Sequence, residues 1–230
     1  MLNKRPQNIL TICFLAIECV LYYFVLTSSG QTFTVTAYSG IILCFLFALA
    51  FGSKNEPLMA AGLALTVGAD YCLVVCDPIQ QLWGMVFFLG AQILYATRLH
   101  LRHRNNALLL ARILLTAAAE IIAVVVLKDK LDALAMVSMA YYANLLMNII
   151  AAFTQWRNNK LLPLGFVAFI LCDTVIGLQV AAGGYLPITE GSVLHNILFM
   201  NFNLSWSFYL PSQVLIALST LSKGDANGHP

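Results

Sequence analysis

Charge is what this sequence has least of. Only 10% of its 230 residues are Asp, Glu, Lys or Arg, against roughly a quarter in an ordinary soluble domain. Hydrophobic residues make up 60%, and the mean hydropathy is +0.83. That balance excludes a water-soluble globular domain, and a net charge of +2 gives no basis for a nucleic-acid partner. Histidine is scarce as well. Cys72 and Cys76 stand one turn apart beside Asp77, but His100 and His103 lie in another loop and His195 is alone. No metal-ligand set is completed, and no metal or cofactor is expected. There is no phosphate-cradling glycine loop, and no Gly-x-Ser-x-Gly elbow of the serine-hydrolase kind. All six cysteines fall inside apolar runs, where reduced, buried thiols are the default.

What the chain does have is long apolar runs. A spanning helix needs roughly 20 mostly apolar residues, and eight runs qualify: about 9–27, 32–51, 58–76, 82–99, 107–127, 133–153, 161–182 and 193–221. The first follows Lys4 and Arg5 but lacks a clear cleavage site, so it reads as a retained helix rather than a signal peptide. Ser28-Ser29-Gly30, Ser53–Pro57, Asp77-Pro78, Arg98–Asn106, Lys128–Asp132, Arg157–Lys160 and Gly183–Gly191 supply the breaks. No linker is long enough to separate domains. The fold expected is therefore all-α, a polytopic membrane bundle of eight transmembrane helices. It forms a single domain over residues 1–221, with a short polar tail at 222–230.

Basic residues set the expected orientation. With the N-terminus inside, one side holds Lys4, Arg5, Lys54, Arg98, Arg102, Arg104, Arg112, Arg157, Lys160 and Lys223, and the other only Lys128 and Lys130 beside Asp129 and Asp132. Both termini are then cytoplasmic, in the cell membrane if the protein is bacterial.

Against this background four carboxyls stand out inside apolar runs: Glu18, Asp70, Glu120 and Asp173. A charge at the bilayer centre costs about 3 kcal/mol even on a lenient scale. Four anions facing lipid would cost roughly 10 kcal/mol, against a total stability of about 5–15 kcal/mol. The acids must be protonated, paired or lining a wet cavity. Apart from Arg98 at the last turn of its run, Arg112 is the one Lys or Arg inside a run, near an end where it can snorkel to the interface. At least one carboxyl is thus expected to be neutral at pH 7. A protonated Asp can deliver a proton and an ionised one can activate water, so Asp70 and Asp173 suit acid–base hydrolysis. The alternative is that the acids only cross-link helices.

The acids also recur. Gly62 precedes Asp70 by the interval at which Gly165 precedes Asp173, Glu18 and Glu120 are similarly placed, and Ala37-Tyr38 is echoed by Ala140-Tyr141. The pattern reads as two fused four-helix halves of equal orientation, related by an axis along the membrane normal. The competing explanation is chance alignment of apolar segments.

Polar residues stripe the remaining helices. Tyr141, Asn144 and Asn148 share one face by i, i+3, i+7 spacing, Gln92 and Tyr95 another, and Asn196, Asn203 and Ser207 a third. Tyr209 and Gln213 flank Pro211, which should kink the last helix. Gln92, Tyr95, Tyr141, Asn144, Asn203, Tyr209 and Gln213 are candidate substrate contacts. The alternative role is interhelical hydrogen bonding, worth about 0.6 kcal/mol each. The basic segment Arg98–Arg104 either holds a phosphate headgroup or is an ordinary positive-inside loop.

From Lys54 to Ser219 the chain resembles the YhhN-like lysoplasmalogenase family of eight-helix membrane hydrolases. The resemblance lies in Lys54 and Pro57-Leu58-Met59 at the start of helix three, and in Gly68-Ala69-Asp70-Tyr71-Cys72-Leu73 as a first acidic motif. Gly84-Met85, Phe88 and Tyr95 follow, then Gly165 with Phe169-Ile170-Leu171-Cys172-Asp173, and finally Tyr209-Leu210-Pro211-Ser212-Gln213-Val214-Leu215-Ile216. Ala69 separates the Gly from the Asp, Cys172 replaces a usual Ser, Gln92 stands where many members have His, and Pro211 interrupts the last motif. The resemblance implies hydrolysis of the vinyl-ether bond of a lysoplasmalogen to a fatty aldehyde and a glycerophospho-alcohol. Asp70 and Asp173 would be the catalytic pair, a lysophospholipid the substrate, and no cofactor would be needed. Two other classes fit the residues: a small-solute or proton-coupled transporter, in which paired membrane acids and fused halves recur, and a non-catalytic membrane scaffold.

Overall fold

The computed structural model describes residues 4–52, 54–128, 131–182, 189–200 and 202–221. The polar tail 222–230, Ser53, Asp129, Lys130 and most of the 183–191 loop, all used above, lie outside the described residues. Every regular element among the described residues is helical: α1 (Lys4–Thr27), α2 (Gly30–Gly52), α3 (Pro57–Asp70), α4 (Gln81–Arg102), α5 (Asn106–Leu127), α6 (Ala133–Thr154), α7 (Leu161–Ala182), α8 (Val193–Leu198) and α9 (Leu204–Ser219). Seven helical segments are long and apolar enough to cross a membrane, and they correspond to the first seven expected runs.

The eighth run departs from expectation. Instead of one helix over 193–221 it forms α8 and α9, separated at Phe199–Asn203. Asn203 stands at the start of α9 and points its amide toward the carbonyl of Val25, 3.4 Å away. Asn competes with the helix ladder for backbone partners, which favours helix ends over helix interiors. The face shared by Asn196, Asn203 and Ser207 is therefore not continuous: Asn196 bonds Gly191 O within the α8 turn, and Ser207 bonds Leu204 O in α9.

Pro211, by contrast, sits inside α9 and the helix runs through it. Proline has no N–H, so the carbonyl four residues earlier loses its ladder partner. That carbonyl is Ser207 O, and Tyr22 Oη of α1 donates to it at 3.1 Å. A side chain from another helix replaces the missing bond.

The halves pack in the same order. Helices α1, α2, α3 and α4 contact one another in sequence, as do α5, α6, α7 and α9, while α4 meets α6 and α2 meets α9 across the halves. The two recurring glycines serve this packing. A Cβ at Gly62 would run into the Tyr95 ring of α4, and one at Gly165 would lie 2.9 Å from Ile216 Cγ1 and 3.1 Å from Ser212 O of α9. Close approach of helix backbones through small residues is how membrane helices gain packing contact where lipid offers no hydrophobic drive.

The interior holds Ile41, Leu63, Leu99, Phe166, Phe169 and Ile216, all buried, while α5 turns Ile113, Leu114, Ile121, Val125 and Val126 outward. An outer surface of this apolar character suits lipid. At one end several helix termini are tied together. Glu56, before α3, pairs with Arg98 at 2.8 Å and Arg102 at 3.0 Å at the end of α4. Gln155 donates to Leu99 O, and Asn159 to Ser219 O. These are segments that charge asymmetry assigned to a common side.

Candidate functional site

Asp70 is the last residue of α3. Beyond it the backbone widens over Tyr71–Val75, with Cys76 N–H reaching Tyr71 O at 2.9 Å, five residues back. Such wide turns are often found at functional positions, because they re-aim side chains that a regular helix would space evenly. Asp173 lies in the middle of α7, away from any helix end.

Each acid is held by a tyrosine from a different helix. Tyr209 Oη of α9 donates to Asp70 Oδ2 at 2.5 Å, and Tyr141 Oη of α6 donates to Asp173 Oδ2 at 2.5 Å. Asp70 and both tyrosines are buried, and Asp173 is partly so. Short O–H···O bonds to a carboxylate are the stronger kind. Among the described residues no hydrogen bond reaches Oδ1 of either acid, so one oxygen on each is held and the other left free.

The two pairs share an aromatic cluster. Phe88 of α4 lies 5.8 Å from the Tyr141 ring, 5.7 Å from Phe169 and 6.2 Å from Tyr209, while Phe169 of α7 lies 5.4 Å from Tyr209 and 6.3 Å from Tyr141. Trp206 packs edge-on to Tyr209 at 5.0 Å. Both tyrosines thus contact the same two phenylalanines. The helices that bring this about are α3, α4, α6, α7 and α9, drawn from both halves.

The other candidate contacts form a second polar group. Asn148 Nδ2 donates to Gln92 Oε1 at 2.8 Å and Gln92 O at 2.9 Å. Arg112 Nη2 donates to Asn148 Oδ1 at 2.8 Å, and its Nη1 to Asn144 Oδ1 at 3.0 Å and Asn144 O at 3.2 Å. Arg112 is half-buried, and its guanidinium bonds neutral amide oxygens of α6. Gln213 donates to Ser212 Oγ at 3.1 Å, Tyr95 is buried against Gly62, and Asn203 stays at the start of α9. Tyr141 and Tyr209 are the two that touch the acids.

Several enclosed atoms have no partner among the described residues: Gln92 Nε2, Tyr95 Oη, Gln213 Oε1, Glu18 Oε2 and Glu120 Oε2. Glu18 is buried beside Gly40 and Leu210, with Cys44 Sγ 3.5 Å from its other oxygen. It packs in the α1–α2–α9 corner rather than against the acid–tyrosine pairs.

A cleft of about 260 Å³ lies between α4, α5 and α6, lined by Arg112, Asn144, His100 and His103 among others. It includes neither aspartate. The acid–tyrosine pairs and the cleft are therefore separate features of the bundle. Phe88 and Phe169 belong to the sequence motifs, but their forming a shared wall, and the bonding of Arg112 to two asparagines of α6, are not legible in the sequence. Aromatic residues in apolar runs look like ordinary core, and a cation's direction depends on which amides face it.

Residues 41–220 match the YhhN family. No curated protein and no solved structure matches the chain.

Proposed function

The chain belongs to the YhhN family, and from that premise we propose that it is a membrane-embedded hydrolase of the vinyl-ether bond of lysoplasmalogens. The observation that carries this reading is the pair of acid–tyrosine units facing one aromatic cluster. Each tyrosine hydroxyl occupies Oδ2 of its acid, leaving Oδ1 to meet a substrate.

The chemistry follows from those two free oxygens. One aspartic acid gives its Oδ1 proton to the vinyl carbon remote from oxygen, and the double-bond electrons form that C–H bond. The adjacent carbon becomes an oxocarbenium ion. The second aspartate, ionised, stabilises the cation and takes a proton from the water that attacks it. The aromatic faces of Phe88 and Phe169 favour a passing cation. The acid that took water's proton returns it to the glycerol oxygen as that C–O bond breaks, the other carboxylate takes the hemiacetal hydroxyl proton as the C=O forms, and alcohol and aldehyde leave with one water consumed and both acids restored. Tyr141 and Tyr209 orient the carboxyls and are positioning residues. Titration of the two acids is coupled, and either can take either role.

The substrate is a single-tailed phospholipid that enters from the bilayer. The tied end of the bundle, with Arg98, Arg102 and Lys160, faces the cytoplasm, as do both termini.

The test is aldehyde release from an alkenyl lysophospholipid by the purified protein in detergent. Asp70→Asn and Asp173→Asn should each lower turnover by about two to four orders of magnitude, while the variants still insert and melt normally. Near-normal release by both variants would remove the assignment.

A further inference from the structure

The 260 Å³ cleft between α4, α5 and α6 is not used by the acid–tyrosine chemistry. Its polar wall is Arg112, with His100 and His103 nearby, and its apolar wall includes Leu109 and Ile93. Arg112 belongs to a membrane-spanning helix, yet its three hydrogen bonds all go to neutral amide oxygens, Asn144 Oδ1, Asn144 O and Asn148 Oδ1. Among the described residues, the ion pairs are those of Glu56 with Arg98 and Arg102, so the carboxylate at this end is already paired and Arg112 has none.

Arg112 is half-buried, and with no counter-ion among the described residues part of its charge is left uncompensated. The amides fix its plane but add no negative charge. Its Nε–H makes no bond among the described residues. Nη2 gives one N–H to Asn148 and retains the other. These free donors, on a guanidinium held by the amides, are available to phosphate oxygens. The two imidazoles offer further N–H donors. Leu109 and Ile93, apolar and exposed on α5 and α4, suit an anion that arrives attached to a hydrocarbon chain.

The position relates to the acids through α6. Asn144, which holds Arg112, lies three residues from Tyr141, which holds Asp173, an axial step of about 4.5 Å.

We propose that this cleft is the phosphate subsite for a single-chain glycerophospholipid, with Arg112 as the ligand of the phosphate oxygens. It rests on the hydrolase reading only in naming the lipid as substrate; binding of the phosphate does not require turnover.

The experiment measures equilibrium binding to the full chain in detergent of a saturated alkyl-ether lysophospholipid, which has no vinyl bond to cleave. An alkylglycerol of the same chain length and inorganic phosphate are measured in parallel. The wild-type protein should bind the lysophospholipid at least tenfold more tightly than either. Arg112→Gln should lose that tenfold advantage while alkylglycerol binding stays unchanged. Ala96→Trp, which adds bulk to the cleft from α4 and replaces none of the partners of Arg112, should weaken the lysophospholipid likewise, and it carries the test if Arg112→Gln does not fold. Unchanged lysophospholipid binding in the folded variants would overturn the subsite. Inorganic phosphate binding as tightly as the lysophospholipid would overturn its assignment to a lipid. Aldehyde release from the alkenyl lipid is measured separately on the wild-type protein, so failure of the subsite (no selective binding of the alkyl lipid) and failure of the hydrolase reading (no aldehyde) give different results.

Discussion

Removing a single hydroxyl tests how the acids are poised. Tyr209→Phe deletes the donor 2.5 Å from Asp70 Oδ2 and leaves the ring, with its contacts to Phe88, Phe169 and Trp206, in place. A hydrogen bond to a charged group is worth about 1.5–3 kcal/mol. If that bond orients Asp70 in the transition state, the loss corresponds to a fall of about 10- to 150-fold in turnover. The fall should appear in kcat, with KM nearly unchanged, because the hydroxyl is bonded to the acid rather than to the lipid. The assay is aldehyde release at saturating alkenyl lysophospholipid, with thermal melting in detergent to verify folding. In an Asp70→Asn background the same change should have little further effect, a coupling of at least about 1 kcal/mol in the double-mutant cycle. A Tyr209→Phe enzyme with full kcat beside an inactive Asp70→Asn enzyme would show that the bond serves packing alone, and the poised-carboxyl account would fail.

Three further outcomes follow from the same geometry. Turnover should peak at intermediate pH: at low pH both acids are protonated and none can accept water's proton, and at high pH both are ionised and none can protonate the vinyl carbon. A rate that changes in one direction only across the range, after subtraction of uncatalysed acid hydrolysis, would count against a two-carboxyl mechanism. Gly62→Ala should destabilise by about 1–3 kcal/mol, because its Cβ meets the Tyr95 ring, while Gly177→Ala, with nothing within 4 Å, should melt like the wild type; equal melting of the two would remove the close-packing role. Glu56→Ala should cost about 3–5 kcal/mol, since it leaves buried Arg98 unpaired, read as a lower melting temperature, and an unchanged temperature would mean that water already solvates that pair.

Much of the architecture was legible in composition and spacing. Apolar runs of spanning length separated by charge or turn residues predict seven helices that the structure holds, because in lipid the backbone has no partner but itself. The recurrence of Gly62 and Asp70 in Gly165 and Asp173 likewise predicts equivalent places, and both glycines sit at the tight contact between the third and fourth helices of their own half. The eighth run could not be read this way. A hydropathy count registers Phe199 and Phe202 as apolar and carries no term for Asn203 leaving the ladder to reach Val25.

The sequence by itself determined the solvent this chain folds in, the number of apolar runs and which four carboxyls had to be explained, since those follow from transfer free energies of individual residues. Which groups meet those carboxyls was decided by tertiary structure. By the internal repeat, Tyr38 is the counterpart of Tyr141 and would be the choice for Asp70; in the fold its ring lies against Tyr71, 6.2 Å away, and Asp70 takes Tyr209 from the far half. Arg112 shows the same division: its charge was plain, but its direction depended on two asparagines of a neighbouring helix. Hydrophobicity is additive along a chain and can be read one residue at a time, whereas a hydrogen bond needs a donor and an acceptor within about 3 Å, a condition that only packed helices fulfil.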